Sequence, residues 1–327
     1  MSATGPLAAG RPERSWLAAV AAHPATPVVA LAVFVAAGQG LGESFWLTLG
    51  TRAAILSLAA LSLSFALGQG GLVSFGHAAP FGLGAYAVLI AGEYGVREIT
   101  ALVPLAFVAA AAFATVTGAL ALRTRGVYFI MITLAFAQMA YFVFAALSAY
   151  GGDDGMGIAG RATFLGGRFL RDEAKLAWFS IGVLALALAF LERVRHAAFG
   201  FVLRAARDNE ARTAALGYSV FGVRLTAFAL SAGLAGIAGA LMAEQTAFVS
   251  PGLMNWHRSG ELMVMVVLGG AGRLSGAIVG AIVVTLVEEF GGQATEYWKL
   301  GLGVLILLVV MARIVDPATW KRRLFGG

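Results

Sequence analysis

Ten apolar stretches follow one another between Thr26 and Ala312, each bounded by charge or glycine, and they restrict the fold more than anything else in the sequence. They run Thr26 to Leu41, Phe45 to Leu67, Leu72 to Ala91, Thr100 to Leu122, Val127 to Tyr150, Leu176 to Leu191, Val223 to Ala243, Gly260 to Gly270, Leu274 to Val287 and Trp298 to Ala312. One bilayer crossing takes about 20 predominantly apolar residues. A chain of 327 residues that is 60% hydrophobic and 12% charged is therefore filled by such elements and short connections. Soluble domains carry about 25% charged residues, so a pair of soluble domains is excluded. The expected fold is an all-α polytopic membrane protein with about ten transmembrane or re-entrant helical elements. The eighth stretch makes only about 16 Å of helix, too little for a core of about 30 Å, and predicts a half-helix or re-entrant segment.

Positive residues give the orientation, because Lys and Arg accumulate on cytoplasmic loops. The net charge is +6, from 20 arginines and three lysines against 17 acids. With the N-terminus inside, the inner segments hold 15 of these cations and the outer segments 7, with Arg52 left inside a span. Both termini are thus expected to be cytoplasmic, and the basic balance reflects topology, with no nucleic-acid partner implied. The expected organisation is a cytoplasmic tail over residues 1–25, a transmembrane domain over 26–315 with a large cytoplasmic loop at about 193–222, and a basic cytoplasmic tail over 316–327. The first apolar run has no convincing small-residue cleavage site and is followed by another span, so it reads as a membrane helix and not as a signal peptide.

Several chemistries are absent from the sequence. There is no cysteine, hence no thiolate metal site and no cysteine nucleophile. His23, His77, His196 and His257 show no metal-binding spacing, so no metal site is expected. The three lysines follow Ala174, Trp298 and Trp320, whereas a Walker A loop needs Gly before its Lys. Gly155, Gly157 and Gly160 form a G-x-G-x-x-G pattern, but a membrane span precedes it where a dinucleotide site needs a strand, and a flexible outer loop is expected. All carboxylates fall in loops or at span ends on these boundaries, which disfavours an ion-coupled carrier. Arg52, about two turns into its span, is expected to snorkel outward.

Glycine carries more information. Gly68 to Gly84 places six glycines and Pro80 where a continuous helix would run. Broken backbone at membrane depth is tolerated only when buried in protein or lining a cavity, and discontinuous helices mark translocation pathways. Gln69, Ser74 and His77 are therefore candidate pathway residues, joined by Gln138 as a further neutral polar side chain in a span. The alternative for the glycines is close packing of small residues. Gly269, Gly272 and Ser275 repeat the spacing of Gly68, Gly71 and Ser74. Gly272, Gly276 and Gly280, and separately Ala232, Gly236 and Ala240, make smooth faces suited to close helix contact.

Between Arg193 and Arg224 lies the longest basic loop. Within it, residues 208–217 read as a short helix: Asp208 or Asn209 as cap, Glu210 in the first turn, and Gly217 as stop. Ala211, Ala214 and Ala215 share one face. Such a knob fits a partner's cleft; a solvated loop of retained arginines is the other reading.

Here the sequence resembles a known family. Arg204 to Glu210 continuing through Ala215, Leu216 and Gly217, then Leu225 to Ala232 and Ala235 to Leu241, are similar to the LivM-type permeases of bacterial branched-chain amino-acid ABC importers. Gly68 to Tyr86, Leu122 to Tyr128 with Thr133 to Phe136, and Val267 to Gly272 agree in the same order. The resemblance implies a non-enzymatic transport subunit in the bacterial inner membrane. Its implied partners are a second, LivH-like permease, two cytoplasmic ATPases that bind ATP and Mg, and a periplasmic substrate-binding protein, with membrane lipids around the spans and no cofactor on this chain. The loop containing Arg204, Arg207, Asp208, Asn209, Glu210, Ala214, Ala215, Leu216 and Gly217 would dock the ATPases. It departs from the general E-A-A-x-x-x-G importer signature: Arg212 stands at the second Ala, and Gly217 falls one place late. The implied cargo is a branched-chain amino acid or, across the wider resemblance, urea, a short amide or an organic acid. A stand-alone carrier or channel is the reading from another class.

Overall fold

The computed structural model describes residues 23–314 except 159, 165, 168, 169, 171, 271, 295 and 296. The charge-rich tails, with Arg11, Arg14 and residues 316–327, lie outside the described residues. Twelve α-helices are present among those described: α1 (Thr26–Leu41), α2 (Ser44–Gly70), α3 (Ala78–Glu93), α4 (Ile99–Ala121), α5 (Val127–Ala146), α6 (Glu173–His196), α7 (Ala198–Asp208), α8 (Glu210–Ala215), α9 (Val220–Thr246), α10 (Trp256–Gly269), α11 (Leu274–Ala294) and α12 (Trp298–Ile314). Six of them, α2, α4, α5, α6, α9 and α11, are long and apolar enough to cross a membrane. Two strands of two residues, β1 (Met156–Gly157) and β2 (Phe248–Val249), pair antiparallel.

The helix α2 is the axis of the bundle. Every residue from Ala53 to Ala66 is buried, the pattern of a helix covered on all sides. By contrast, α4 buries a single stripe, Ile99, Leu102, Ala106, Ala110, Ala114, Thr117 and Ala121, at helical spacing. The rest of that helix is apolar and faces outward, as a lipid-contacting wall does.

Small residues bring the inner helices to backbone contact. A Cβ on Gly239 of α9 would fall 1.7 Å from the Phe81 carbonyl oxygen of α3, and one on Gly84 would fall 1.9 Å from that of Gly236. Gly236 also lies against α4, where its Cβ would meet the Ala106 oxygen at 2.6 Å. No larger side chain fits this three-helix junction, and close van der Waals packing is what holds helices together in lipid. A second junction joins α10 to α11: Cβ atoms on Gly280 and Gly276 would fall 1.9 Å from the Met265 oxygen and 2.4 Å from the Gly269 oxygen. Gly272, expected on the same smooth face, is not part of it. It precedes α11, which begins only at Leu274, and a Cβ there would meet nothing within 4 Å.

Polar ties sort onto two opposite ends. At one end the 193–219 segment meets the ends of α2 and α4; at the other, the 151–167 segment meets the start of α4, the end of α9 and β2. There β1 sets Met156 opposite Val249, Glu98 accepts from Thr163 Oγ1 at 2.7 Å and from the Gly166 amide at 3.0 Å, and Glu244 accepts from the Ala162 amide at 2.7 Å. The G-x-G-x-x-G glycines belong to this folded segment, where Gly155 takes φ +79 next to the Val249 oxygen. Arg52 departs from the snorkelling expectation. Its guanidinium donates to Glu288 at 2.7 Å and lies 3.6 Å from Glu289, tying α2 to α11. The partner is invisible in the sequence because 236 residues separate the two.

Candidate functional site

At the basic loop, α7 stops at Asp208 because Asn209 turns extended, with φ −153 and ψ +99. The Asn209 side-chain oxygen then accepts from the Arg212 amide at 2.9 Å and starts α8. Of the two cap candidates it is Asn209 that caps. Gly217 closes the element with φ +87, a conformation glycine adopts without strain. Thr213 is buried and donates to the Asn209 carbonyl at 2.9 Å, holding the short helix to the loop. Ala211, Ala214 and Ala215 are exposed, and Leu216 is 72% exposed beside them, so the knob presents an apolar tip.

The base of the knob grips the membrane helices. Arg204 donates to the Gln69 side-chain oxygen at 3.0 Å and to the Arg195 carbonyl at 2.8 Å. Arg207 donates to the Gly68 carbonyl and pairs with Asp208 at 3.0 Å. Glu210 accepts from two arginines at once, Arg125 after α4 at 3.0 Å and Arg224 in α9 at 2.9 Å. Behind this carboxylate is a cleft of about 200 Å³ lined by Gly71, Val73, Arg125, Phe129 and Arg224. In the sequence Arg125 and Arg224 read only as positive-inside charge; their shared partner is a tertiary fact.

The second region is the interruption after α2. Gly71 caps that helix in the left-handed region at φ +67, and the chain stays non-helical to His77. Ser74 accepts from the Gly76 amide at 3.1 Å, turning the segment, and α3 starts at Ala78 with Pro80 in its first turn, where a missing N–H costs nothing. Gly76 lies against α5, where a Cβ would fall 2.6 Å from the Thr133 oxygen.

This interruption lies at mid-depth. His77 Nε2 is 2.8 Å from Ser231 Oγ, and Ser231 is near the middle of the 27-residue α9. Ser231 in turn donates to the Ser62 carbonyl of α2. A hydroxyl has one hydrogen, so the imidazole Nε2 is the donor to Ser231. His77 Nδ1 is then an acceptor, buried without a protein partner. The Ala78 amide, one of the orphan donors of a helix start, donates to Ser259 Oγ of α10 at 2.9 Å.

The expected pathway residues thus separate. Ser74 and His77 meet at the interruption, joined by Ser231, Ser259 and the Ser62 carbonyl. Gln69 is buried at the C-terminal end of α2 under Arg204, and Gln138 is half-buried on α5, more than a turn beyond Thr133. Ser231 and Ser259 carry no sequence signal, since nothing local marks which hydroxyl of a helix faces the interruption. Among the described residues no group of three or more His, Cys, Asp or Glu could hold a metal ion.

Six long apolar helices, two crossing elements that begin in mid-bundle and a gripped external knob define a multi-pass membrane protein built around a discontinuous crossing. Residues 45–311 match the family model for the permease component of branched-chain amino acid transport systems, and the chain belongs to that family. It is 27% identical over 309 residues to the high-affinity branched-chain amino acid transport permease LivM of Escherichia coli, covering 88% of this chain and 73% of that one. The LivM protein of Salmonella typhimurium is 27% identical over 286 residues, covering 80% and 67%. The autoinducer 2 import permease LsrC of Salmonella typhi is 33% identical over 143 residues, covering 42% and 40%. No solved structure matches the chain. This is a permease component of an ABC transport system, a multi-pass protein of the inner membrane.

Proposed function

We propose that this chain is one of two permeases in an ATP-driven importer for a branched-chain amino acid or a related small solute. Two ATPases with their ATP and Mg dock at the α7–α8 knob, a LivH-like permease completes the pathway, and a periplasmic binding protein delivers the cargo. The observation that carries the reading is the grip of the knob on the end of α2: Arg204 holds Gln69 and Arg207 holds the Gly68 carbonyl, immediately before the interruption. A push on α8 is delivered to the start of the broken segment without crossing any flexible linker. The side chains at the interruption are neutral, which suits a zwitterionic or small neutral solute better than a polyanion.

Permeases of this kind make and break no bonds. Their work is to have two arrangements that partner subunits favour in turn. The test is reconstitution of the chain with a second permease, two ATPases and a binding protein from the same source. Uptake of leucine, isoleucine or valine that requires ATP inside the coupling compartment and the binding protein outside is the expected result. Uptake by the permease alone would support a carrier and overturn the reading.

A further inference from the structure

The start of α10 holds charged side chains at a depth where the sequence places none. By sequence, Arg258 belongs to an outer loop and every carboxylate to a loop or span end. Ser259, however, hydrogen-bonds Ala78, which follows the His77 that touches mid-helix Ser231 of α9. Met254, just before α10, lies where a Cβ on Gly82 would be 2.2 Å from its Cγ. From there α10 runs to the inner end, so residues 256–261 are within about two turns of mid-depth.

At that level Arg258 donates to Glu261 at 2.7 Å, with side chains 23% and 38% exposed. Trp256 is 42% exposed and stacks on exposed His257 at 3.8 Å, and Asn255 caps the helix by accepting from the His257 amide at 3.1 Å. Gly260 lies in the same turn, about 100° around the helix from Glu261, and a Cβ there meets open space. Partly exposed ions at mid-membrane do not face lipid; they face a water-filled cavity or another charge. Placed at the N-terminal end of a helix, Arg258 adds to a positive dipole end, while Glu261 supplies the negative charge one turn further in.

We infer that the first turn of α10, with Arg258 and Glu261 paired along one face, lines the translocation pathway and recognises a small zwitterion by exchange: its carboxylate pairs with Arg258 and its ammonium with Glu261 in place of their mutual bond. The substrate class rests on the importer reading above; the water-lined position does not. Aromatic Trp256 and His257 flank the site on the outer side.

The cysteine-free sequence makes the test direct. Gly260→Cys is introduced into the full-length chain in native membrane vesicles and treated with an anionic sulfonate and a cationic trimethylammonium thiosulfonate, both membrane-impermeant. Val116→Cys, on the outward wall of α4, is the comparison. The Gly260→Cys thiol is expected to react at least about tenfold faster, as a thiol in water ionises and one in lipid does not. Added Arg258→Gln is expected to slow the anionic reagent relative to the cationic one by at least about threefold, and Glu261→Gln to do the reverse. A Gly260→Cys thiol as inert as that of Val116→Cys overturns the pathway position. Reaction with unchanged reagent ratios in both charge variants overturns the recognition role. ATPase co-purification, measured on the same vesicles, reports the importer reading independently.

Discussion

Arg204 reaches across 135 residues of sequence to donate to Gln69, so the external knob and the end of the central membrane helix share one hydrogen bond. The bond is half-buried and its arginine also holds the Arg195 carbonyl at 2.8 Å, which fixes the guanidinium between α6, α7 and α2. Replacing Arg204 with Ala removes both bonds. ATP hydrolysis by the assembled complex is expected to continue while uptake falls, because the knob then holds the end of α2 through the Arg207 bond to Gly68 alone. Equal loss of hydrolysis and uptake would point instead to failed docking.

Glu210 is expected to be the most sensitive charge in the knob. Glu210→Arg sets three arginines together, with Arg125 78% exposed and Arg224 only 18% exposed in its side chain. The exposed pair contributes at most about 1 kcal/mol, so the effect comes mainly through Arg224. Assembly and uptake are expected to fall by more than about fivefold, the equivalent of about 1 kcal/mol, with membrane insertion intact. Charge reversal at Arg207 is expected to act the same way. Restoring opposite charge with Arg224→Glu should recover part of the Glu210→Arg loss in a pull-down of the ATPases; no recovery would mean the pair is not a contact in the assembled protein.

Ser231→Ala leaves the His77 Nε2–H without its acceptor, in a buried place, and takes from the helical Ser62 carbonyl its second donor. Leaving such groups unsatisfied costs about 1–3 kcal/mol. The melting temperature of the detergent-solubilised protein should drop accordingly, and Ser231→Thr, which keeps the hydroxyl, should drop it less. An alanine variant as stable as the parent would show that the hydroxyl relay does not hold the interruption in place.

Two glycines in helices should respond to alanine in opposite directions. Gly239→Ala drives a methyl into the Phe81 carbonyl, and overpacking of this kind costs about 1–3 kcal/mol or more. Gly182→Ala on α6 meets nothing within 4 Å and gains up to about 1 kcal/mol of helix propensity. Thermal scans of both variants give the comparison.

Orientation is open to the same cysteine-free labelling. Ala214→Cys on the knob and Tyr94→Cys at the other end of the bundle replace exposed residues. An impermeant thiol reagent is expected to reach the Tyr94→Cys variant from outside intact cells and the Ala214→Cys variant only after the membrane is opened. Labelling of both from one side would contradict the positive-inside assignment.

Much of the architecture is legible in the sequence. The bounds Thr26 to Leu41 recur in α1, the eighth stretch is a short helix, and the glycine-rich segment after Gly70 is a break, because apolar length and glycine are local signals. Asn209 and Gly217 begin and end elements where their own conformational preferences put them. What the sequence hides is pairing. Arg52 with Glu288, Arg204 with Gln69 and Glu210 with Arg224 each need two elements to be adjacent before their meaning emerges. The depth of Arg258 and Glu261 is hidden for a further reason: a polar first turn after Pro251 looks like loop until a neighbouring helix fixes its level.

The amide of Ala78 finds its acceptor on α10, not in its own turn. The beginning of α3 is therefore jointly owned. If α10 slid by one residue's rise, about 1.5 Å, the bond would be stretched and a buried amide would lose its acceptor. The bundle carries a gauge at its centre, which tolerates rotation about that bond and resists displacement along it. Turning the two half-helices about this joint keeps the bond, and drawing them apart breaks it.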